Sequence, residues 1–228
     1  MARRRLAALS AGILALVVAL MGAASAPPAS AIVGGAVAPP GATPSIVAIV
    51  DPQLHFQFCG GTLVAPQWVL TAAHCVLGYG FQPTLLHVVS GREDLLAPGG
   101  QEVAVQRVVY SPPVAGPEHR ADLALLQIAP IASPPIAALM SADVEPHYDG
   151  TTISTFRPSD QICAGTAAIG PCTGDSGGPL YVVDTKGTTR VAGVVSYGSD
   201  PCNLFPGGFV QVSANLAWIQ SVISAPPP

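Results

Sequence analysis

Short apolar runs, rich in β-branched residues and separated by turn residues, recur along most of this chain. They occupy residues 45–50, 61–72, 85–90, 102–110, 122–128, 179–184, 190–198 and 207–213. Helical spacing of apolar residues occurs only near the end, at residues 213–223. Runs of this length and spacing predict the strands of a β-sandwich or barrel. We therefore expect an all-β fold with one C-terminal helix, capped by Ser213.

Residues 1–31 have the organisation of a secretory signal peptide. Arg3, Arg4 and Arg5 precede an apolar run at residues 6–24, and small residues follow it. This order is typical of export, and Ala, Gly and Ser dilute the run too much for a membrane-spanning helix. We expect residues 1–31 to be removed, which leaves residues 32–228 as one domain in the extracellular space.

Composition excludes several classes of partner. The chain carries 13 acidic and 9 basic residues, so it offers no basic surface for the phosphates of a nucleic acid. The scattered histidines have no metal-ligand spacing. We expect no metal, no cofactor and no membrane contact after signal cleavage, and the oligomeric state stays open.

Five cysteines in an exported chain predict disulfides, but an odd number cannot all pair within one chain.

Three short motifs carry the chemistry, and they occur in the order TAAHC (71–75), DLALL (122–126) and GDSGGPL (174–180). A serine hydroxyl becomes a strong nucleophile when a base removes its proton and a third group orients that base. In these motifs Ser176 is the candidate nucleophile, His74 the base and Asp122 the orienting carboxylate. The glycines allow a tight turn that would direct the backbone N–H groups of Gly174 and Ser176 at one oxyanion.

These motifs resemble those of the trypsin/chymotrypsin family of serine proteases. The resemblance rests on IVGG (32–35), FCGGTLVAPQWVLTAAHC (58–75), DLALL (122–126), ICAG (162–165), CTGDSGGPL (172–180), VVSYG (194–198) and SANLAWI (213–219). It implies two β-barrels with the active site between them, and the disulfides Cys59–Cys75 and Cys172–Cys202. It also implies a secreted endopeptidase with protein or peptide substrates. The Ala- and Pro-rich secretory style favours a bacterial source.

The IVGG motif implies an activation step. By the resemblance, a new α-amino group on Ile32 folds inward and pairs with Asp175, the residue before the nucleophile. Loss of one partner of such a buried ion pair costs ~3–5 kcal/mol. Because Ala31 precedes the cut, cleavage by a trypsin-like enzyme is not expected. Either signal peptidase cuts after Ala31, or it cuts after Ala26 and a second protease removes the propeptide 27–31.

The resemblance also assigns a specificity pocket. Its base is Gly170, six residues before the nucleophile, and its walls map to Ser196-Tyr197-Gly198 and to Gly207. Glycine supplies no charge for a Lys or Arg side chain, and glycine at two wall positions leaves room for a large one. We therefore expect a chymotrypsin-like preference for Phe, Tyr or Leu.

The second half of the chain is shorter than the family pattern. Asp122 and Ser176 are 54 positions apart, about 40 fewer than in chymotrypsin. We expect a shortened second barrel with about four clear strands and a weak one at residues 151–156, where the resemblance implies six. The missing stretch would contain the family's usual disulfide partner of Cys163, which accounts for the odd number of cysteines.

This shortening leaves a second hypothesis open, a catalytically weak or inactive secreted binding protein on the same fold. An esterase-like hydrolase with the same machinery is a third. The complete triad favours the serine endopeptidase.

Overall fold

Strands dominate the regular structure of the computed structural model, as the short apolar runs predict. The structure describes residues 32–54, 56–112, 121–132, 135–140, 157, 159–166, 168–202 and 204–226. The predicted signal peptide and propeptide, and the weak strand predicted at residues 151–156, lie outside these residues.

Six antiparallel strands close a barrel in the first half of the chain. They are β1 (Ile46–Asp51), β2 (Phe56–Ala65), β3 (Trp68–Thr71), β4 (His87–Ser90), β5 (Gln101–Tyr110) and β6 (Ala124–Ile128). Their order around the barrel is β1-β2-β3-β6-β5-β4. Every residue of β3 and β6 is buried, so these neighbouring strands form a rigid part of the barrel wall. The catalytic candidates of this half follow β3 and precede β6.

The run at residues 61–72, predicted as one strand, is divided between two. β2 ends at Ala65 and β3 begins at Trp68, so the chain turns at Pro66 and Gln67. Proline has no backbone N–H and cannot donate a ladder hydrogen bond, which makes it a natural end for a strand. The hairpin pairs Ala65 with Trp68 and Thr62 with Leu70.

The described residues of the second half form a curled sheet of five strands, so the prediction of a shortened second barrel is confirmed. Its strands are β7 (Ala138–Leu139), β8 (Gln161–Ala164), β9 (Pro179–Val183), β10 (Thr189–Tyr197) and β11 (Gly207–Gln211). They follow the order β7-β10-β11-β8, and β9 also pairs with β10. The apolar runs did not predict β7 or β8, because each is too short to show an alternating pattern.

The C-terminal helix is present, but the prediction of its cap is wrong. The chain carries two α-helices among the described residues, the short α1 (Ala73–Val76) and the C-terminal α2 (Val212–Ile223). Gln211 is both the last residue of β11 and the N-cap of α2. The strand therefore runs directly into the helix, and Ser213 lies within the first turn instead of at its cap.

Buried apolar side chains from both halves share a main core, and a second, smaller cluster in the second half comprises Ile162, Ala192, Val195 and Phe209. Most side chains of the main core come from the first barrel, and Val191, Val194, Val210 and Ile219 of the second half join them. Burial of each such side chain contributes about 1.5–3 kcal/mol relative to exposure. The shared core therefore holds the strands of the two halves in a defined relation.

Replacement of Leu125 by Ala should reduce the free energy of unfolding by about 2–5 kcal/mol. Leu125 is fully buried in β6, where it pairs with Leu70 of β3, so its loss leaves a cavity in the barrel. Urea unfolding followed by tryptophan fluorescence measures the effect. The control is Val37→Ala, because Val37 is 96% exposed and its replacement should change the free energy by less than about 0.5 kcal/mol. Equal losses in the two variants would contradict this account of the core.

Candidate active site

The barrel brings His74 and Asp122 together although they are 48 residues apart in the chain. β3 leads into helix α1, which carries His74, and Asp122 lies just before β6, the neighbour of β3. Nδ1 of His74 lies 2.7 Å from Oδ2 of Asp122. The backbone N–H of His74 donates to Oδ1 of the same carboxylate at 2.8 Å. These two contacts fix both the position and the orientation of the imidazole ring.

The second sheet contributes a further contact to this carboxylate. Oγ of Ser196, in β10, donates a hydrogen bond of 2.6 Å to Oδ2 of Asp122. The Asp122 carboxylate thus accepts hydrogen bonds from both halves of the chain. Removal of one donor would leave a largely buried charge short of a partner, which is costly.

These hydrogen bonds change the pKa values of both His74 and Asp122. The hydrogen bond to Asp122 raises the pKa of His74 above its ordinary value of 6.5, against the opposing effect of burial. Burial raises the pKa of Asp122, but hydrogen bonds from His74 and Ser196 outweigh it and hold that pKa below 3.8. When His74 is neutral, the charged carboxylate favours its Nδ1–H tautomer. In that tautomer Nε2 can accept a proton.

Ser176 and His74 lie on the wall of one cavity of about 450 Å³. Among the described residues, no hydrogen bond joins Oγ of Ser176 to His74. Apo structures often show such catalytic hydrogen bonds as long or absent, and they tighten when substrate binds. The structure thus joins His74 to Asp122 directly and puts Ser176 on the same cavity.

The backbone around Ser176 is held on two sides. The carbonyl of Ser176 accepts a hydrogen bond from Gly60 N–H at 2.8 Å, and Gly177 N–H donates to the carbonyl of Val195 at 2.9 Å. Gly177 has a φ of +77°, and a Cβ there would overlap the hydroxyl of Thr71. Only glycine fits this position, because it tolerates positive φ and needs no space for a side chain.

Two backbone N–H groups beside the cavity remain available for a ligand. Gly174 and Ser176 both line the cavity, and within the described part of the chain neither N–H donates to another group. Gly174 has a φ of +99°, a conformation that favours glycine. These are the two groups that the sequence analysis assigns to an oxyanion.

The two members of the predicted activation pair lie in segments that approach each other. Val33, next to Ile32, forms an antiparallel bridge with Gly170 through hydrogen bonds of 3.2 and 3.3 Å. Burial raises the pKa of Asp175, and a hydrogen bond of 2.9 Å from Cys172 N–H partly offsets this. In the uncut chain the nitrogen of Ile32 belongs to a peptide bond and carries no charge. The ion pair itself stays a prediction.

The five predicted substrate-binding residues divide into two groups. Tyr197 and Gly198 line the cavity, whereas Gly170, Ser196 and Gly207 do not. Gly170 and Gly207 are buried, and the hydroxyl of Ser196 donates to the Asp122 carboxylate.

Pro171 lines the cavity, and the sequence analysis missed it. A Cβ added at Gly207 would overlap Cγ of the Pro171 ring, and one added at Gly198 would lie 3.2 Å from the Pro171 carbonyl oxygen. The Pro171 ring therefore fills the side of Gly207 on which a side chain would stand, and the preference for a large residue stays a prediction. The sequence did contain a signal for this residue, because Pro171 directly follows Gly170, the predicted base of the pocket.

Two disulfides brace the walls of the site. Cys59 pairs with Cys75, next to His74, and Cys172 pairs with Cys202. These are the pairs that the family resemblance implies. Cys163 is buried in β8 and belongs to neither disulfide.

The ligand atoms of Cys59, His74 and Cys75 lie within 4.8 Å of one another, as in some metal sites. Metal ligation requires a thiolate, and both sulfurs are already oxidised in the disulfide. This cluster therefore does not make a metal site.

The fold agrees with the comparison to known proteins. A family model described as Trypsin matches residues 32–154 and 136–219. This chain belongs to the trypsin family. A curated relative from Mus musculus, named Serine protease 28, is 29% identical over 240 residues, which covers 81% of this chain and 86% of that protein.

Membership of the trypsin family supports a proteolytic function with peptide or protein substrates. Family relatives are typically secreted, and the two disulfides fit an oxidising environment. In the part of the chain that the structure describes, no helix has the length and apolar character needed to span a membrane. A bacterial source stays a prediction.

Replacement of Asp122 by Asn should lower the pKa of His74. The carboxylate stabilises the protonated imidazole through the 2.7 Å contact, and an amide carries no charge to do so. Because the pKa of His74 is raised in the folded state, protonation of His74 increases the free energy of unfolding. This contribution is complete below about pH 6.5. This contribution is lost as the pH rises through the raised pKa. NMR titration of the His74 ring measures the change.

The matched control is Glu102→Gln in the same barrel. Glu102 contacts His87 at 2.9 Å, so this variant removes a second histidine–carboxylate pair and should leave the pKa of His74 unchanged. An unaltered pKa of His74 in the Asp122→Asn variant would refute the assigned cause.

Proposed function

We propose that this trypsin-family member is a secreted serine endopeptidase in which Ser176, His74 and Asp122 form the catalytic triad. The observation that carries the proposal is the 2.7 Å contact between His74 and Asp122, on a cavity whose wall also includes Ser176. The raised pKa of His74 supports its role as the base, because a base of higher proton affinity withdraws the hydroxyl proton more readily.

The first half-reaction makes an acyl-enzyme. Oγ of Ser176 attacks the peptide carbonyl carbon while Nε2 of His74 takes the hydroxyl proton, and Asp122 stabilises the imidazolium that forms. The carbonyl oxygen becomes an oxyanion that accepts hydrogen bonds from the N–H groups of Gly174 and Ser176. Loss of one such donor typically reduces the rate ~100–1,000-fold. The C–N bond then breaks as His74 gives its proton to the leaving amine.

The second half-reaction regenerates the enzyme. His74 takes a proton from water, and the resulting hydroxide attacks the acyl carbon. The same two N–H groups hold the second oxyanion. The bond to Oγ of Ser176 breaks, the proton of His74 returns to that oxygen, and the carboxylic acid leaves.

Activation follows export in this proposal. The signal peptide at residues 1–31 directs secretion, and cleavage after Ala31 gives Ile32 a charged α-amino group. A second route is cleavage after Ala26 with later removal of the propeptide 27–31. Burial raises the pKa of Asp175, so its charged form gains from a cation beside it. The new amino group supplies that cation.

The pocket favours an uncharged residue before the scissile bond. Gly170 cannot supply a negative charge to hold Lys or Arg, and the lining includes the apolar side chains of Pro171 and Val195 and the ring of Tyr197. The family resemblance gives Phe, Tyr or Leu as the preferred residues. Asp200 on the same wall is the acidic group that would instead favour a basic residue.

A fluorophosphonate should form one covalent adduct on Ser176 of the secreted protein, and the labelled mass should begin at Ile32. Oγ of Ser176 attacks phosphorus only when its base and oxyanion donors are in place. Intact mass spectrometry reads the adduct and the N-terminus together.

The Ser176→Ala variant should take no label, whereas Ser221→Ala should label normally because Ser221 lies exposed on α2. A native chain that begins at Ile32 and takes no adduct would favour the inactive binding protein instead.

Replacement of Asp175 by Asn should reduce kcat/KM by about 100-fold or more. Loss of one partner of a buried ion pair costs ~3–5 kcal/mol, and each 1.4 kcal/mol is about tenfold in rate. Hydrolysis of a peptide anilide by the processed protein measures the loss. Asp94→Asn in an exposed loop should retain full activity. A fully active Asp175→Asn variant would disprove the activation pair.

A further inference from the structure

We propose that Pro171 closes the inner end of the specificity pocket, so that the site prefers a small apolar residue, Ala or Val, and excludes Phe and Tyr. The inference rests on the proposed serine endopeptidase, and it replaces the preference for Phe, Tyr or Leu that the family resemblance gives. It depends on one juxtaposition, the Pro171 ring against Gly207.

The first argument is the position of the ring. Gly207 and Gly170, which the sequence makes a wall and the base of the pocket, are buried and do not border the cavity. Pro171 does border it, and its Cγ and Cδ occupy the space that a side chain at Gly207 would need. The proline ring therefore fills the space beside Gly207 and also lies on the cavity wall. It takes the volume into which an aromatic side chain would extend.

The second argument is that the ring cannot swing aside. The pyrrolidine ring is bonded to its own backbone nitrogen, which fixes φ near −65° and removes the rotamers that other side chains have. Relief of a clash would thus require the backbone at Pro171 to move.

The backbone on both sides of Pro171 is anchored. Before it, Gly170 exchanges two hydrogen bonds with Val33. After it, Cys172 is joined to Cys202 by a disulfide, and its N–H donates to Asp175 at 2.9 Å. A rigid wall of this kind rejects an oversized side chain instead of adapting to it.

The third argument is the chemistry of what remains. The cavity lining also includes Val195, Tyr197 and Gly198, and a Cβ at Gly198 would lie 3.2 Å from the Pro171 carbonyl oxygen. These groups offer apolar contact to a short side chain. The acidic group in the lining, Asp200, is exposed, where solvent screens its attraction for a basic residue.

The experiment uses the secreted, processed protein and peptide p-nitroanilides that differ only in the residue before the anilide, which is Ala, Val, Leu, Phe or Arg. Active sites are counted with a fluorophosphonate. We expect kcat/KM for Ala or Val to exceed that for Phe by at least about tenfold, the discrimination that one or two methylene groups provide in an apolar pocket. The Pro171→Gly variant should raise the Phe-to-Ala ratio of kcat/KM by at least about tenfold, and Pro171→Ser by less.

The matched control is Pro39→Gly, because Pro39 is exposed and outside the cavity lining; its Phe-to-Ala ratio should match the native one. If the Pro171→Gly variant takes no fluorophosphonate label, the Phe-to-Ala ratio is measured on the Pro171→Ser variant, provided that this variant is labelled.

A native enzyme that cleaves after Phe or Arg at least as fast as after Ala overturns the inference while leaving the protease intact. So does an unchanged ratio in labelled Pro171 variants. A native protein that takes no label and cleaves no substrate overturns the proposed function, and the inference with it.

Discussion

The carboxylate of Asp122 is the group on which the rest of the site depends. It accepts hydrogen bonds from the backbone and the ring of His74 in the first barrel and from Ser196 in the second sheet. A largely buried charge is tolerated only when such donors surround it. The carboxylate therefore orients His74. Its hydrogen bond from Ser196 also stabilises the packing of β10 against the barrel. The geometry of the proposed catalytic pair and the packing of the two halves therefore depend on the same carboxylate.

The segment from Gly170 to Gly177 gathers the other functional groups on one constrained stretch of backbone. Its beginning is tied to Val33, its centre to Cys202 by a disulfide, and its end to Gly60 and Val195 by hydrogen bonds. The proposed nucleophile Ser176, the proposed oxyanion donors and Pro171 share this stretch. Donors that are already oriented need no reorganisation when charge develops, and this is where electrostatic catalysis gains most. The proposed selectivity of the pocket depends on the same rigidity.

Local sequence signals predicted most strands because a buried strand needs a continuous or alternating apolar run, and such runs are visible without the fold. They failed where another effect dominated. Pro66 divided one run into a hairpin, and β7 and β8 were too short for any period to appear. The cap of α2 was misplaced because β11 continues into the helix at Gln211, with no loop in which Ser213 could act.

The sequence by itself determined the all-β class, the identity of the candidates His74, Asp122 and Ser176, and the glycines that their backbone requires. These follow from residue type, order and spacing, which are properties of the chain alone. Only the tertiary structure decided which groups hold Asp122 and how much space remains beside Gly207. Both depend on atoms that are distant in sequence and meet through packing. Pro171 is the clearest case. Its contact with Gly207 depends on the position of β11 in the fold, and the local sequence around either residue does not predict that contact.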